Sequence, residues 1–188
     1  MAIGRHRACY GCTVADLIVT PRLKLLPLTP PLLRAVAGDD LTDVERQLGA
    51  RVGTGWEDGV PAKLRLEQLA ADASEQPWLV RAMVASAPRL VVGCVGFHAP
   101  PDVHGRVEIG YDIVASERRK GYAREGIRAL LDWAWATGRV RTCVASVSPH
   151  NGPSLALIRS FGFRQVGEQI DEIDGLELVF ERRLPLAP

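Results

Sequence analysis

The stretch Val107-Glu-Ile-Gly-Tyr-Asp-Ile-Val-Ala-Ser-Glu-Arg-Arg-Lys-Gly-Tyr-Ala123 decides the fold of this chain. Its first half alternates apolar and polar residues, which predicts a strand over residues 106–114. Its second half runs into residues 121–137, where apolar side chains recur at helical spacing from Ala123 to Ala134. The stretch is therefore a strand that leads through a short basic loop into the longest helix of the chain.

Three cations, Arg118, Arg119 and Lys120, stand directly before Gly121 in this loop. A helix start presents unpaired N–H groups and a partial positive charge, so cations placed there oppose the helix dipole. Their placement is favourable if a polyanion binds, and a pyrophosphate is the natural candidate because glycine lets the backbone approach it closely. A solvated basic turn is the alternative that the spacing leaves open.

The rest of the chain predicts an α/β (α+β layered) domain in which helices flank a mixed, mostly antiparallel sheet, in the order β-α-α-β-β-β-α-β-α-β-β. Three consecutive strands in the middle of the chain indicate an antiparallel meander. The predicted strands are residues 20–28, 78–85, 89–98, 106–114, 141–147 and 163–166, with a hairpin over 170–184. The predicted helices begin after Thr29 and at Asp39, and cover residues 62–73, 121–137 and 152–161. Residues 51–61, rich in glycine and including Trp56, are interpreted as a loop.

Length and composition exclude several classes of protein. The 188 residues, at 20.5 kDa, suffice for one domain with a sizeable core. The net charge of +1 gives no global attraction to nucleic acid or to an anionic membrane. The longest apolar run, residues 90–97, is far shorter than the roughly 20 residues of a membrane helix. A secretory signal is not recognisable, so a cytoplasmic protein is expected.

The four cysteines do not form a disulfide framework in a domain of this size. Cys94 and Cys143 lie in apolar stretches and are expected to be buried. Cys9 and Cys12 have CxxC spacing, but a zinc site needs a second pair that the sequence lacks, so no metal is expected. Both belong to residues 1–19, which we interpret as a flexible N-terminal extension before a domain over residues 20–188.

The Arg-x-x-Gly-x-Ala pattern of residues 118–123, placed between a strand and a helix, resembles the acyl-CoA pyrophosphate loop of the Gcn5-related N-acetyltransferase (GNAT) superfamily. Further blocks resemble its ribosomal-protein N-terminal acetyltransferase (RimJ/RimL-type) branch and occur in that branch's order. They are Thr20-Pro-Arg-Leu-Lys-Leu25, Val92-Gly-Cys-Val-Gly-Phe97, Val107-Glu-Ile-Gly-Tyr-Asp-Ile113 and Asn151-Gly-Pro-Ser-Leu-Ala-Leu-Ile-Arg-Ser-Phe-Gly-Phe163. Arg119 stands where this loop often has glycine, and Ala115 where proline is common.

The resemblance implies that acetyl-CoA is the co-substrate and binds where two strands of the sheet separate. Its pantetheine arm would pair with the backbone at Ile113 and Val114 and contact Asn151. Its pyrophosphate would lie on the loop, and the residues implied there are Arg118, Arg119, Lys120, Gly121, Tyr122 and Ala123. A helix start surrounded by cations agrees with this chemistry.

An ammonium cannot attack a thioester, so the reaction needs a group that removes a proton from the acceptor. Similar enzymes often carry a glutamate at the position of Glu108, and Asp112 on the same strand face is the alternative base. Ser154, at the start of the last helix, is the candidate proton donor to the departing thiolate. Asn151 and Ser154 are also ordinary helix-capping residues. A tyrosine donor is available only as Tyr10, Tyr111 or Tyr122, and none of them belongs to the last helix.

The function that the resemblance implies is acetyl transfer from acetyl-CoA to a primary amine, by direct attack through a tetrahedral intermediate. The acceptor is either a protein N-terminal α-amine or a small-molecule amine, and a homodimer formed through the final hairpin is possible. A non-catalytic acyl-CoA-binding module of the same fold is the competing interpretation.

Overall fold

The computed structural model describes residues 17–172 and 175–186. Helices and strands are interspersed along these residues. The first half contains β1 (Ile18–Val19), β2 (Leu23–Pro27), α1 (Pro30–Ala37), α2 (Leu41–Leu48), β3 (Arg51–Val52), α3 (Ala62–Ala71), β4 (Arg81–Ser86) and β5 (Arg89–Phe97). The second half contains β6 (Arg106–Ile113), α4 (Tyr122–Ala136), β7 (Thr142–Val147), α5 (Gly152–Ser160), β8 (Arg164–Asp171) and β9 (Gly175–Arg183).

These strands form one mixed sheet in the order β1-β2-β4-β5-β6-β7-β9-β8, and β3 pairs with β5. The predicted meander of β4, β5 and β6 is antiparallel, which confirms that part of the prediction. The β6–β7 pair is parallel and lies between the antiparallel pairs β5–β6 and β7–β9. Parallel strands need a crossover connection, and α4 supplies it.

Both faces of the sheet are covered by helices. Helices α4 and α5 bury Ile127, Leu130 and Ile158 against one face. Helices α1, α2 and α3 cover the other face with residues such as Leu33 and Val44. The side chains of β6 divide accordingly, since Val107, Ile109 and Ile113 belong to the α4–α5 core. The alternate positions of β6, at Glu108, Gly110 and Asp112, therefore face the α1–α3 side.

The sequence predicted the fold class and the main elements, and the structure differs in four places. Strand β1 lies within residues 1–19, which were assigned to the N-terminal extension, and it pairs with β2. The predicted element order has two helices before the meander, whereas the structure has three, each where the sequence predicts a helix. Residues 51–52, predicted as loop, pair with β5 at Leu90 and Val91. The separate strand pieces at 163–166 and from 170 onward are one continuous strand, β8. The turn predicted at Asp174-Gly175 lies partly outside the described residues, and Cys9 and Cys12 lie outside them.

The amino-terminal segment is tied to the start of α4 by a carboxylate. Glu125 accepts hydrogen bonds from the Thr20 hydroxyl at 2.6 Å and from the Arg22 backbone N–H at 2.9 Å. The Arg22 guanidinium adds an ion pair to Glu125 at 2.6 Å and donates to the Lys120 carbonyl at 2.9 Å. This network fixes the loop before α4 against the first strands.

In the part of the chain that the structure describes, no helix is long and apolar enough to cross a lipid bilayer. Strand β8 forms one edge of the sheet, and Val166 and Ile170 on it are exposed. The homodimer expected at this hairpin stays a prediction.

Candidate active site

Strands β6 and β7 pair only over their first residues and then separate. The register joins Arg106 to Thr142, Val107 to Cys143 and Glu108 to Val144. Beyond Glu108, β6 continues to pair with β5 on its other side. The separation opens a cleft of about 550 Å³ between β6, the loop before α4 and the start of α5. Its volume lies in the range of small-molecule sites, about 300–1,000 Å³.

The loop before α4 presents its backbone to this cleft. Arg119 and Gly121 both have left-handed backbone angles, with φ of 62° and 85°. Such a conformation turns successive N–H groups toward one side, which makes a concave anion site. Helix α4 begins directly after Gly121 and receives no side-chain cap there. The geometry explains why glycine is common at the position of Arg119, since a side chain in the left-handed region costs roughly 1–2 kcal/mol.

The three loop cations have different partners. Lys120 is paired with Glu117 at 2.9 Å. Arg118 donates to the Ile113 carbonyl at 2.8 Å and lies 3.5 Å from Asp112. Among the described residues, the Arg119 side chain has neither a hydrogen-bond partner nor an ion-pair partner, and it lines the cleft. Arg119 is therefore the loop cation most available to a phosphate.

The structure brings most of the predicted cofactor-binding residues to this cleft. They are Ile113, Arg118, Arg119, Gly121, Tyr122, Ala123 and Asn151. Val114 and Lys120 do not line it. The Val114 side chain is buried in the core of the other face, and its N–H bonds to the Val92 carbonyl. The Lys120 backbone carbonyl accepts a hydrogen bond from the Arg22 guanidinium, which fixes the loop next to the cleft.

Helix α5 and strand β6 place two hydroxyl groups together at the cleft. The Asn151 side chain accepts from the Ser154 N–H at 3.1 Å and so caps α5. The Tyr111 hydroxyl is buried, and no described group lies in hydrogen-bond geometry to it. Burial raises the pKa of Tyr111, and the nearby Ser154 hydroxyl partly offsets that rise. Tyr111 lies outside the last helix, but its alternation with Val107 and Ile109 places it on the sheet face that α4 and α5 cover.

Glu108 lies on the opposite face, at the last paired position before the strands separate. The Ser146 hydroxyl donates to one of its oxygens at 2.6 Å, and His98 lies 3.9 Å from the other. Gln169 donates both to the Ser146 hydroxyl and to Glu177, which connects the carboxylate to the hairpin. Burial lowers the pKa of His98, against a raising effect of Glu108. Glu108 therefore sits in a hydrogen-bonded polar cluster at the apex of the separation.

Asp112, the alternative base, lies between two cavities. It lines the cleft described above and also a second cavity of about 370 Å³ on the α3 side of the sheet. It lies four positions beyond Glu108 on β6, about 13 Å along the strand backbone. The two carboxylates therefore lie at different ends of the opening.

The other residues considered from the sequence have structural roles or lie outside the site. Trp56 is buried and donates to the Gly93 carbonyl at 2.9 Å, which makes it an anchor for the loop before α3. Cys94 and Cys143 are buried as predicted, and burial raises the pKa of Cys94 to about 12. Over residues 17–172 and 175–186, no cluster of three or more metal-ligating side chains occurs.

A parallel pair of strands that separates beside a loop suited to an anion is the arrangement expected of an acyl-CoA-dependent acetyltransferase. Residues 23–164 match the family model described as acetyltransferase (GNAT) domain, and the chain belongs to this family. The N-acetyltransferase YjdG of Bacillus subtilis is 28% identical over 153 residues, which are 78% of this chain and 89% of that protein. The N-acetyltransferase p20 of Bacillus licheniformis is 35% identical over 77 residues, so the match spans 41% of this chain and only 43% of that protein.

Solved structures share the fold. An acetyltransferase of Salmonella typhimurium that modifies the N-terminal serine of ribosomal protein L7/L12 superposes with a TM-score of 0.63 at 15% identity, covering 90% of this chain and 99% of that one. The microcin C7 self-immunity acetyltransferase MccE, solved with acetyl-CoA and AMP, gives a TM-score of 0.63 at 17% identity, covering 88% and 94%. At these identities the likeness concerns the fold.

Proposed function

We propose that this protein transfers the acetyl group of acetyl-CoA to a primary amine that approaches from the α3 side of the sheet. The observation that carries the proposal is the separation of β6 and β7, which has an anion-binding loop on one side and carboxylates on the other. A thioester at that opening would be accessible from both faces. The acceptor is a protein N-terminal α-amine or a small-molecule amine.

The residues of the cleft fit acetyl-CoA. The left-handed loop and the uncapped start of α4 suit a pyrophosphate, and Arg119 is free to neutralise it. The apolar wall formed by Ile113, Ala123 and Leu157 suits the pantetheine arm. When bound, acetyl-CoA supplies the activated acyl group, and the fit requires no metal.

Proton transfer is assigned to side chains on the two faces. Glu108, oriented by Ser146, takes the proton of the acceptor ammonium directly or through water. On the other face, Ser154 donates a proton toward the thiolate, and the adjacent Tyr111 hydroxyl is placed to share this role. The backbone of β6 beyond Glu108, unpaired toward β7, supplies N–H groups for the oxyanion.

The test is the release of free CoA in the presence of a panel of amines, with N-terminal peptides and small amines measured side by side. Acetyl-CoA affinity is determined on the same preparation by calorimetry. We expect at least one amine to accelerate CoA release above the rate without acceptor. Tight acetyl-CoA binding with no acceleration by any amine would favour a non-catalytic acyl-CoA-binding module.

A further inference from the structure

The second cavity holds a buried arginine that has no carboxylate within ion-pair distance among the described residues, and Glu75 raises its pKa only from farther away. This cavity, about 370 Å³, lies between α3 and strands β5 and β6, and it shares Tyr111 and Asp112 with the acetyl-CoA cleft. Arg65 of α3 lines it and is only 6% exposed. In the described part of the chain, no Asp or Glu side chain comes within ion-pair distance of the Arg65 guanidinium.

The hydrogen bonds of Arg65 are incomplete as well. One terminal nitrogen donates to the Gln68 side chain at 2.5 Å and to the His98 carbonyl at 2.9 Å. The Nε–H group is buried and has no acceptor. A buried cation without an ion-pair partner is destabilising, and an anion that pairs with it offsets part of that destabilisation. Burial lowers the pKa of Arg65, although an arginine remains charged at neutral pH.

The wall of the same cavity also carries negatively charged side chains. Asp58 and Asp112 both line it, and Asp112 borders the acetyl-CoA cleft. The Cys94 thiol in the wall is near enough to Asp112 and to Arg65 for both to act on its pKa. A cation and carboxylates in one small cavity complement a molecule that itself carries an anion and an ammonium a few ångströms apart.

We propose that the acceptor is a small zwitterionic amine of the amino-acid class, whose carboxylate pairs with Arg65 while its ammonium faces the Asp112 carboxylate on the cavity wall. This inference rests on the proposed function and narrows its substrate class. The cavity volume lies near the lower end of small-molecule sites, which favours a free amino acid over a protein chain. The ammonium first loses one proton to a carboxylate base, which passes it to solvent. The amine nitrogen then forms the new C–N bond, the thioester C–S bond breaks, and the second proton lost by the nitrogen is gained by the thiolate.

The experiment has a binding arm and a turnover arm. Each of the twenty standard L-amino acids is titrated into the protein saturated with CoA, and the tightest binder is compared with its amide and with its decarboxylated amine. The same three compounds are then offered as acceptors with acetyl-CoA. We expect the free amino acid to bind and to react at least tenfold better, in kcat/KM, than the two analogues without a carboxylate.

Arg65→Gln should raise the KM of the amino acid at least tenfold, with a kcat within about threefold of wild type. The two analogues should be unaffected. Arg65→Lys should restore part of the preference because it keeps the charge. Lys63→Gln, which removes an exposed cation from the same helix outside the cavity, is the control and should change nothing. Thermal unfolding and acetyl-CoA affinity show whether each variant is folded.

The outcomes separate this inference from the proposed function. Equal use of the amino acid and its analogues by the wild-type protein, or equal losses for all three in Arg65→Gln, would overturn the zwitterion site and leave acetyl transfer intact. The absence of binding by any amino acid would overturn it too, even if Arg65→Gln fails to fold. Carboxylate-dependent binding without any CoA release would support the site and contradict the proposed transfer.

Discussion

The Ser146 hydroxyl donates a 2.6 Å hydrogen bond to Oε1 of Glu108 across the point where β7 and β6 begin to separate. The bond leaves the other carboxylate oxygen facing His98, 3.9 Å away. It holds Glu108 in one orientation at the apex of the opening, where a general base for an incoming amine is needed.

Replacing Glu108 by glutamine should therefore lower kcat by at least tenfold. General bases contribute roughly 10²–10⁴-fold, and glutamine keeps the shape but cannot accept a proton. Because more of the amine is deprotonated at high pH, the loss should shrink between pH 6 and pH 10. Steady-state kinetics with one acceptor across that range is the measurement. Ser146→Ala, which removes only the orienting bond, should cost less.

Asp112→Asn is the companion variant, because the two residues lie four positions apart on β6, about 13 Å along the strand backbone, and are not expected to act on one nitrogen directly. We expect it to keep the wild-type pH profile. If Asp112→Asn changes the pH dependence of kcat while Glu108→Gln keeps that of the wild type, the base is Asp112. If neither changes it, solvent removes the proton and the protein works by positioning the amine.

Ser154→Ala and Tyr111→Phe test the proton donor on the other face. A thiol with a pKa near ~8.5 is a fair leaving group, so either variant should reduce kcat less than Glu108→Gln does. If the two hydroxyls share the role, the double variant should lose more than either single one. Single-turnover kinetics with a slow acceptor measures this. Ser154→Ala leaves the capping bond from Asn151 in place, since that bond uses the Ser154 backbone N–H.

The sequence was sufficient to predict the strand, loop and helix from Val107 to Ala134, because period-2 alternation, a basic loop and helical spacing all occur within one stretch. It also predicted the meander, with Glu108 on its third strand. The proximity of Tyr111 to Ser154 was not predictable in this way, because it depends on how α5 packs against β6. Arg65 gave no local signal at all, since a single arginine in an amphipathic helix is ordinarily exposed and its burial is decided by the long-range contact with His98.

Gly121→Asp should weaken acetyl-CoA binding at least tenfold, or about 1.4 kcal/mol, since it places a negative charge where the pyrophosphate is expected. Gly121 has a φ of 85°, and an added Cβ would lie 3.2 Å from the Arg22 guanidinium. Gly121→Asn is therefore the matched control, because asparagine has the same shape and tolerates the left-handed region similarly. Calorimetric titration compares the two. Equal affinities for the Asp and Asn variants would argue against a phosphate at this position.

Arg119→Gly should lower acetyl-CoA affinity while changing stability little. Removing the side chain relieves its left-handed strain, but glycine also gains freedom in the unfolded chain, and both effects are of order 1 kcal/mol with opposite sign. The lost charge should reduce binding mostly at low salt, because ions screen an exposed arginine. Titrations at low and high ionic strength measure this. A loss of affinity that does not depend on salt would show that Arg119 acts through loop shape rather than charge.

The last prediction concerns Glu125, which joins the first strands to the start of α4. Burial alone would raise the pKa of Glu125, but the hydrogen bonds from Thr20 and Arg22 outweigh it and hold the pKa below its ordinary value of 4.5. A carboxyl whose pKa is lowered by folding stabilises the folded state above its unfolded pKa, and that contribution is lost as the pH falls through the folded pKa.

Glu125→Gln should therefore lower the free energy of unfolding by about 1 kcal/mol or more at pH 7, and the difference from wild type should narrow as the pH falls below 4.5. Urea unfolding between pH 7 and pH 3 is the measurement. Asp132→Asn on the same helix breaks only an exposed pair with Arg128 and should cost within about 0.5 kcal/mol. Because Arg22 also holds the Lys120 carbonyl, Glu125→Gln should weaken acetyl-CoA binding as well. Unchanged stability at pH 7 would mean that the loop is held in place without this network.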